Sequence, residues 1–178
     1  WVRLTVNGEL TVRAIAAANG AGEFRWATLA EERNTLWKAR HVAYYAALAQ
    51  RPGANGFVTD VTVPISRLAE CIGETRADLD KIAIPATILG HVGDGNFHVI
   101  FALDPDSTEE LGIVEAFNTR LIARSLAMDG TCTGEHGSGM GKQAALLDEL
   151  GDTVDVMRTI KRALDPKNLF NPGKIFAL

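Results

Sequence analysis

A nine-residue segment in the middle of the chain, Gly90–His98, constrains the fold more than any other part of the sequence. It contains Asp94-Gly95, a dipeptide preferred in two-residue type I′ hairpin turns, where both central residues have positive φ. The register that is symmetric about this turn places His91 directly opposite His98. Opposed residues share one face of a sheet with Cβ atoms roughly 4.5–5.5 Å apart, so two imidazoles can converge on one ion. The segment therefore predicts a β-hairpin whose two histidines either bind one metal ion or are half-buried sheet residues bonded to neighbouring backbone groups.

The rest of the hydrophobic pattern alternates between short extended segments and amphipathic helices. Strands are predicted at Trp1–Val6, Glu23–Thr28, Phe57–Val63, Ala86–His91 and Phe97–Leu103. Helices are predicted up to about Ala18, over Ala30–Gln50, from Pro64 onward, and over Thr108–Met128, Lys142–Leu150 and Val154–Leu164. This mixture indicates an α+β fold with an antiparallel sheet and helices packed on one face, in a ferredoxin-like arrangement. At 178 residues the chain is interpreted as one domain with a C-terminal tail.

Composition excludes several classes of partner. The net charge is −4 and the pI about 5.6, so neither nucleic acid nor an anionic membrane is an expected partner. The two cysteines, Cys71 and Cys132, lie far apart in the sequence, which argues against a disulfide framework and favours a reducing compartment. No apolar run approaches the roughly 20 residues that a membrane-spanning helix needs.

The glycine-rich segment Gly130–Gly139 supplies the groups that would complete a metal site. A divalent ion held by two imidazoles usually takes a carboxylate as its third protein ligand, and Glu135 is the candidate. A ligating carboxylate cannot also act as the base, so His136 becomes the candidate acid–base group. Cys132 is interpreted as a small packed residue. The alternative for this segment is a flexible connector with solvated side chains.

Two further segments indicate a function only when they are considered together with the hairpin and the glycine-rich segment. Arg40, within Leu36–His41, can bind a carboxylate in a bidentate manner, although a single arginine on a helix is usually a surface residue. The proline and glycine residues of Asp165–Lys174 predict an extended, turn-rich path, which most often belongs to a packed tail.

In this order, the segments from Leu36 to the C-terminus resemble the C-terminal half of FAD-linked 2-hydroxyacid dehydrogenases of the vanillyl-alcohol-oxidase type. Glycolate oxidase and D-2-hydroxyglutarate dehydrogenase are relatives in this family. The motifs Gly-His-Val-Gly-Asp-Gly-Asn-Phe-His, Thr-Gly-Glu-His-Gly and Asp-Pro-x-Asn-Leu-x-Asn-Pro-Gly-Lys carry the resemblance. Leu36–His41 and Thr59–Leu68 look most like the cytochrome-linked D-lactate dehydrogenases.

The resemblance implies a role for each matching residue. Three would bind a divalent metal, typically zinc or manganese: His91, His98 and Glu135. His136 corresponds to the proposed base beside the flavin and the substrate hydroxyl, and Arg40 to an arginine that binds the substrate carboxylate. Asn171 corresponds to a residue near the FAD cofactor.

Two departures from the family pattern refine this expectation. An asparagine follows two residues after the second motif histidine in the branch that oxidises hydroxyglutarate, whereas this chain has Ile100. An apolar side chain there favours a small aliphatic 2-hydroxy acid, lactate above all. The family also has an upstream FAD-binding domain, and no Gly-x-Gly-x-x-Gly follows a strand here. Residues 1–178 are therefore expected to be a C-terminal substrate or cap domain, inactive alone, whose exposed apolar face favours a homodimer.

The expected electron acceptor is a cytochrome or a quinone. The expected location is the cytoplasm or the inner-membrane surface, or the mitochondrial matrix in a eukaryote. Related alternatives are a glycolate oxidase subunit and a D-2-hydroxyglutarate dehydrogenase. Two others are a metal-dependent hydrolase built on the same residues, and a non-catalytic ferredoxin-like binding module with structural histidines.

Overall fold

The computed structural model describes residues 6–23 and 27–178, and in the first range side chains from residue 11 onward. The chain forms two compact units, Trp1–Tyr44 and Tyr45–Leu178. The helices are α1 (Val6–Ala18), α2 (Ala30–His41), α3 (Ala43–Leu48), α4 (Ile65–Leu79), α5 (Thr108–Ala127), α6 (Gln143–Leu150) and α7 (Thr153–Leu164). The strands are β1 (Asn55–Val58), β2 (Val61–Thr62), β3 (Ala86–His91) and β4 (Asn96–Leu103). None of the helices in the described ranges is both long and apolar enough to cross a membrane.

In the first unit, the two predicted strands lie partly outside the described residues, and the long predicted helix is interrupted. The predicted strand Trp1–Val6 lies outside the described residues except for Val6, which begins α1. Of the predicted strand Glu23–Thr28, the central residues 24–26 lie outside the described part and the flanking ones are irregular. The single helix predicted over Ala30–Gln50 is interrupted at Val42, where φ is −95° and ψ is 0°. Val42 is β-branched and therefore a weak helix former, which fits the break.

The second unit is built around the central strand β4. β3 pairs with β4 on one side, and β1 and β2 pair with it in succession on the other, all antiparallel. With α4 between β2 and β3, and α5 after β4, the order is the βαββα of a ferredoxin-like unit. Here β1 and β2 count together as one interrupted strand. Thr131, after α5, forms a single antiparallel bridge with Thr62, at the place where the last strand of a complete ferredoxin-like unit would pair. The prediction of an α+β fold with an antiparallel sheet is confirmed.

Successive side chains of β4 point to opposite faces of the sheet, and both faces are buried. Phe97, Val99, Phe101 and Leu103 belong to the core shared with α4 and α5, and the Phe117 ring packs edge-on against Phe101 at 5.1 Å. The opposite face carries Asn96, His98, Ile100 and Ala102, all at most 8% exposed. The helix layer therefore covers one face as predicted, but the other face is buried as well. It carries the polar groups of the candidate site.

The hairpin forms where it is predicted, but its register differs. The loop has four residues, Val92–Gly95, so that His91 pairs with Asn96 and Leu89 with His98. The prediction that His91 and His98 are directly opposed is wrong, because the register is shifted by two residues. Since side chains alternate with a period of two, both histidines still lie on the same face of the sheet. The loop is longer because the Gly95 carbonyl accepts the Val63 amide at 3.1 Å, which ties this residue to the chain after β2.

Candidate metal centre

Three side chains from two segments of the second unit converge at one point. Glu135 Oε1 lies 3.1 Å from His98 Nε2 and 3.4 Å from His91 Nε2. The two imidazole rings are 5.8 Å apart at an interplanar angle of 85°. One potential ligand atom from each residue lies within 4.8 Å of the others. The hairpin and the glycine-rich loop thus bring together the three residues predicted as metal ligands.

The hydrogen bond on the far side of His98 determines how its ring can act. Nδ1 lies 3.0 Å from the Thr59 carbonyl oxygen, and the residue is 8% exposed. Since a carbonyl only accepts hydrogen bonds, Nδ1 carries a proton, and this bond directs Nε2 toward Glu135. Nε2 and Oε1, 3.1 Å apart, can share a proton as a hydrogen bond or, with Nε2 unprotonated, can bind one cation together. This arrangement, with Nδ1 anchored on a carbonyl, fits a divalent ion such as zinc or manganese.

A second cluster also meets the spacing of a metal site, but its carboxylate is already engaged. Asp60, His98 and His136 offer atoms within 4.8 Å of one another. Asp60 is 1% exposed. It accepts hydrogen bonds from Asn96, Thr133 and the backbone amides of Gly134, Glu135 and His136. These bonds exclude Asp60 as a ligand without rearrangement and favour the first cluster.

The same hydrogen bonds determine the charge of Asp60. Burial alone would raise the pKa of its carboxyl group. The hydrogen bonds from Asn96, His136 and Thr133 and the positive charge of Lys142 outweigh burial and hold this pKa well below its ordinary value. Asp60 is therefore an ionised, buried acceptor.

His136 lies against the three candidate metal ligands. Its ring stacks on that of His98 with centroids 4.8 Å apart and an interplanar angle of 10°. Its Nε2 is 3.7 Å from Glu135 Oε1, and its side chain is half exposed. A group bound between the three ligands would thus lie near a nitrogen able to take its proton.

A cavity of about 230 Å³ opens beside this cluster. It is lined by Thr62, His91, Asp94, Asn96, Gly134 and Glu135. At Gly134 a Cβ atom would lie 1.9 Å from Asn96 Nδ2 and 2.5 Å from Thr62 Oγ1. Only glycine allows the loop to approach the sheet this closely. The cavity is large enough for a molecule of a few heavy atoms.

The other two predicted site residues belong to other segments of the chain. Arg40 belongs to α2, in the first unit, with its guanidinium carbon 5.3 Å from the centre of the Trp37 ring. Asn171 is exposed and has a φ of 46°, in a tail whose Ile175 amide donates to the Gly139 carbonyl at 2.6 Å. The tail thus lies against the loop that follows His136. The roles of Arg40 and Asn171 remain predictions.

Large apolar side chains beside Asn171 are exposed. Leu169 is 69% exposed and Phe170 71%. Two adjacent exposed apolar side chains form a surface that another molecule or chain can cover.

Sequence reasoning missed the polar groups that support the cluster: Thr59, Asp60, Asn96 and Lys142. The available signal was Asp60 itself, in the middle of the predicted strand Phe57–Val63. Aspartate is disfavoured in strands, and Thr59-Asp60 is the break that separates β1 from β2.

Comparisons with known proteins identify a family and several relatives. The family described as FAD linked oxidases, C-terminal domain, matches residues 4–175. A probable mitochondrial D-lactate dehydrogenase of Danio rerio is 54% identical over 92% of this chain and 33% of its own length. The mitochondrial D-lactate dehydrogenase [cytochrome] of Arabidopsis thaliana is 42% identical over 92% of the chain and 29% of its length. A glycolate oxidase subunit of Bacillus subtilis is 33% identical over 93% and 35%.

The chain spans about a third of the length of these curated relatives. The family match, by contrast, covers nearly all of its residues and includes the hairpin, the glycine-rich loop and most of the tail. The chain belongs to the FAD-linked oxidases, as their C-terminal domain.

Proposed function

We propose that this chain is the C-terminal substrate or cap domain of a longer FAD-dependent dehydrogenase. The enzyme would oxidise a small D-2-hydroxy acid, D-lactate above all, to the 2-oxo acid. The observation that carries this proposal is the convergence of His91, His98 and Glu135, with His136 stacked beside them. Relatives named D-lactate dehydrogenases match most of the chain.

Each residue of the site would have a different role in the reaction. A zinc or manganese ion held by His91, His98 and Glu135 would supply Lewis acidity toward the substrate hydroxyl, and FAD would supply the hydride acceptor. The Thr59 carbonyl holds the proton of His98 on Nδ1, so that Nε2 remains directed at the site. His136 then takes the hydroxyl proton at Nε2 while the hydride leaves the substrate carbon.

Two roles rest on the family resemblance and on the chemistry of the side chains. Arg40 would bind the substrate carboxylate in a bidentate manner and so orient the hydrogen that is transferred. Asn171 would lie beside the flavin. Arg40→Ala is expected to raise KM and also to lower kcat, because both binding and orientation are lost, whereas His136→Asn is expected to lower kcat.

The neighbourhood of His98 along the strand supports a small aliphatic substrate. Ile100, two residues further on the same face, is 4% exposed and lies between Val58 in β1 and Thr87 in β3. An isoleucine at this position offers no polar group to a second carboxylate. D-lactate is thus favoured over D-2-hydroxyglutarate, and glycolate is the second candidate because a glycolate oxidase subunit is among the relatives.

The names of the relatives support two further parts of the proposal. The Arabidopsis thaliana protein is named for a cytochrome, which favours a cytochrome over a quinone as the electron acceptor. That protein and the Danio rerio protein are both named mitochondrial, which favours a mitochondrial location over the cytoplasmic one.

The test is reduction of the flavin by candidate acids in this chain joined to its FAD-binding domain. Rapid mixing with D-lactate, L-lactate, glycolate and D-2-hydroxyglutarate compares the rates of flavin bleaching. D-lactate should react fastest, and His136→Asn should slow bleaching by about 10²–10⁴-fold with flavin and metal content unchanged. Faster bleaching by D-2-hydroxyglutarate would refute the substrate assignment. An unchanged rate in His136→Asn would refute the role of that residue.

A further inference from the structure

The Asp60 carboxylate holds the loop that carries Glu135. Its Oδ2 accepts the Gly134 amide at 2.8 Å, the Thr133 hydroxyl at 2.9 Å and the His136 amide at 3.1 Å. The Glu135 amide lies 3.3 Å from both oxygens. Successive backbone N–H groups directed at one anion form a nest, which fixes the local backbone conformation. The position of the Glu135 backbone thus depends on this one side chain.

The same carboxylate also contacts the strand side of the site. Its Oδ1 accepts a hydrogen bond from Asn96 Nδ2 at 2.8 Å, and Asn96 is the cross-strand partner of His91. Oδ1 also lies 3.6 Å from His98 Nδ1, where its negative charge favours the proton on that nitrogen. Asp60 therefore acts on the hairpin and on the loop at once.

Lys142 compensates the buried charge of Asp60. Its Nζ donates to the Asp60 carbonyl at 2.7 Å and lies 3.4 Å from Oδ2, and its side chain is only 13% exposed. A buried carboxylate is stable only when paired and fully hydrogen-bonded, and both conditions hold here.

We propose that Asp60 is the positioning residue of the metal centre, holding Glu135 and His136 in register with the two hairpin histidines. This inference rests on the proposed function, because it assigns Asp60 to that same site. Asparagine cannot replace it, because both oxygens accept hydrogen bonds, one from Asn96 and the other from the loop. Whichever way an asparagine amide is turned, its NH₂ group faces another donor.

The first measurement needs no metal. Amide hydrogen exchange is followed in the chain, in Asp60→Asn and in the control Asp78→Asn, which alters a buried carboxylate bonded to Arg120 on α5. The amides of Gly134, Glu135 and His136 should exchange at least about tenfold faster in Asp60→Asn, and at the original rate in Asp78→Asn. Unchanged exchange in folded Asp60→Asn would overturn the inference.

The second measurement is titration with Mn²⁺ or Zn²⁺ alone. Asp60→Asn should raise the Kd about 10- to 100-fold, and Asp78→Asn should leave it unchanged. Equal Kd values for the chain and Asp60→Asn would also overturn the inference. If the chain binds neither ion, the proposed metal centre fails, and the amide exchange still decides whether Asp60 holds the loop.

A milder variant keeps the test decisive if Asp60→Asn does not fold. Thr133→Val removes one donor to Asp60 and preserves the shape of the side chain. It should accelerate exchange at Gly134 and His136 by a smaller factor, and no change at either amide would contradict the proposal.

Discussion

Replacing Gly134 with alanine should disturb the loop that carries Glu135. The new Cβ atom would lie 1.9 Å from Asn96 Nδ2, whereas an ordinary contact begins near 3.4 Å, so the loop or the Asn96 side chain must move by about 1.5 Å. A shift of the loop would stretch the 2.8 Å bond from the Gly134 amide to Asp60, and a shift of Asn96 would stretch its own 2.8 Å bond to the same carboxylate. A displacement of this size also exceeds the tolerance of about 0.2 Å in metal–ligand distances. We expect the Kd for Mn²⁺ or Zn²⁺ to rise at least about tenfold.

The same substitution should reduce the free energy of unfolding by about 1–3 kcal/mol, the usual cost of an overpacked site. Urea denaturation measures this loss, and titration of the folded variant measures the Kd. Gly141→Ala is the matched control, because a Cβ atom at Gly141, two residues after the glycine-rich segment, meets no atom within 4 Å. A Gly134→Ala variant with the metal affinity and stability of Gly141→Ala would refute the close approach of the loop to the sheet.

Three further predictions concern the fold. Cys71 and Cys132 are fully buried and burial raises both thiol pKa values, that of Cys132 to about 11, so neither should react with a thiol reagent at neutral pH until urea unfolds the chain. Phe117→Ala should lower the free energy of unfolding by about 3–5 kcal/mol in urea denaturation, since the ring is fully buried. The hydrogen bond from Lys161 lowers the pKa of Asp165 from 3.8 to about 2, so its contribution to stability is lost as pH falls through this range. Asp165→Asn should therefore lose less stability than the unmodified chain between pH 5 and pH 3, and an equal loss would contradict this.

The sequence was sufficient for the elements that depend on local pattern. The two arms of the hairpin and the helices α5, α6 and α7 lie within two residues of their predicted bounds, because periodicity and turn residues determine them. Local signals also placed His91 and His98 on one face, since any even shift of register preserves the face.

Features that depend on tertiary contacts could not be predicted in this way. The four-residue loop follows from the bond between Val63 and Gly95, which joins segments about 30 residues apart. The role of Asp60 depends on donors from residues 133–142, far along the chain. Asp94-Gly95 alone predicted a two-residue turn, because no residue near it in the sequence indicates the contact with Val63.

The most direct test of the proposed metal centre is metal content after incubation with zinc and manganese. The unmodified chain is compared with His91→Ala, Glu135→Ala and His41→Ala, the last altering a histidine on α2 that belongs to neither group of possible metal ligands in the described residues. The site predicts about one equivalent of metal in the chain and in His41→Ala, and its loss in the other two variants. A chain that holds no metal, or equal metal in all four proteins, would contradict the assignment of His91, His98 and Glu135 as ligands.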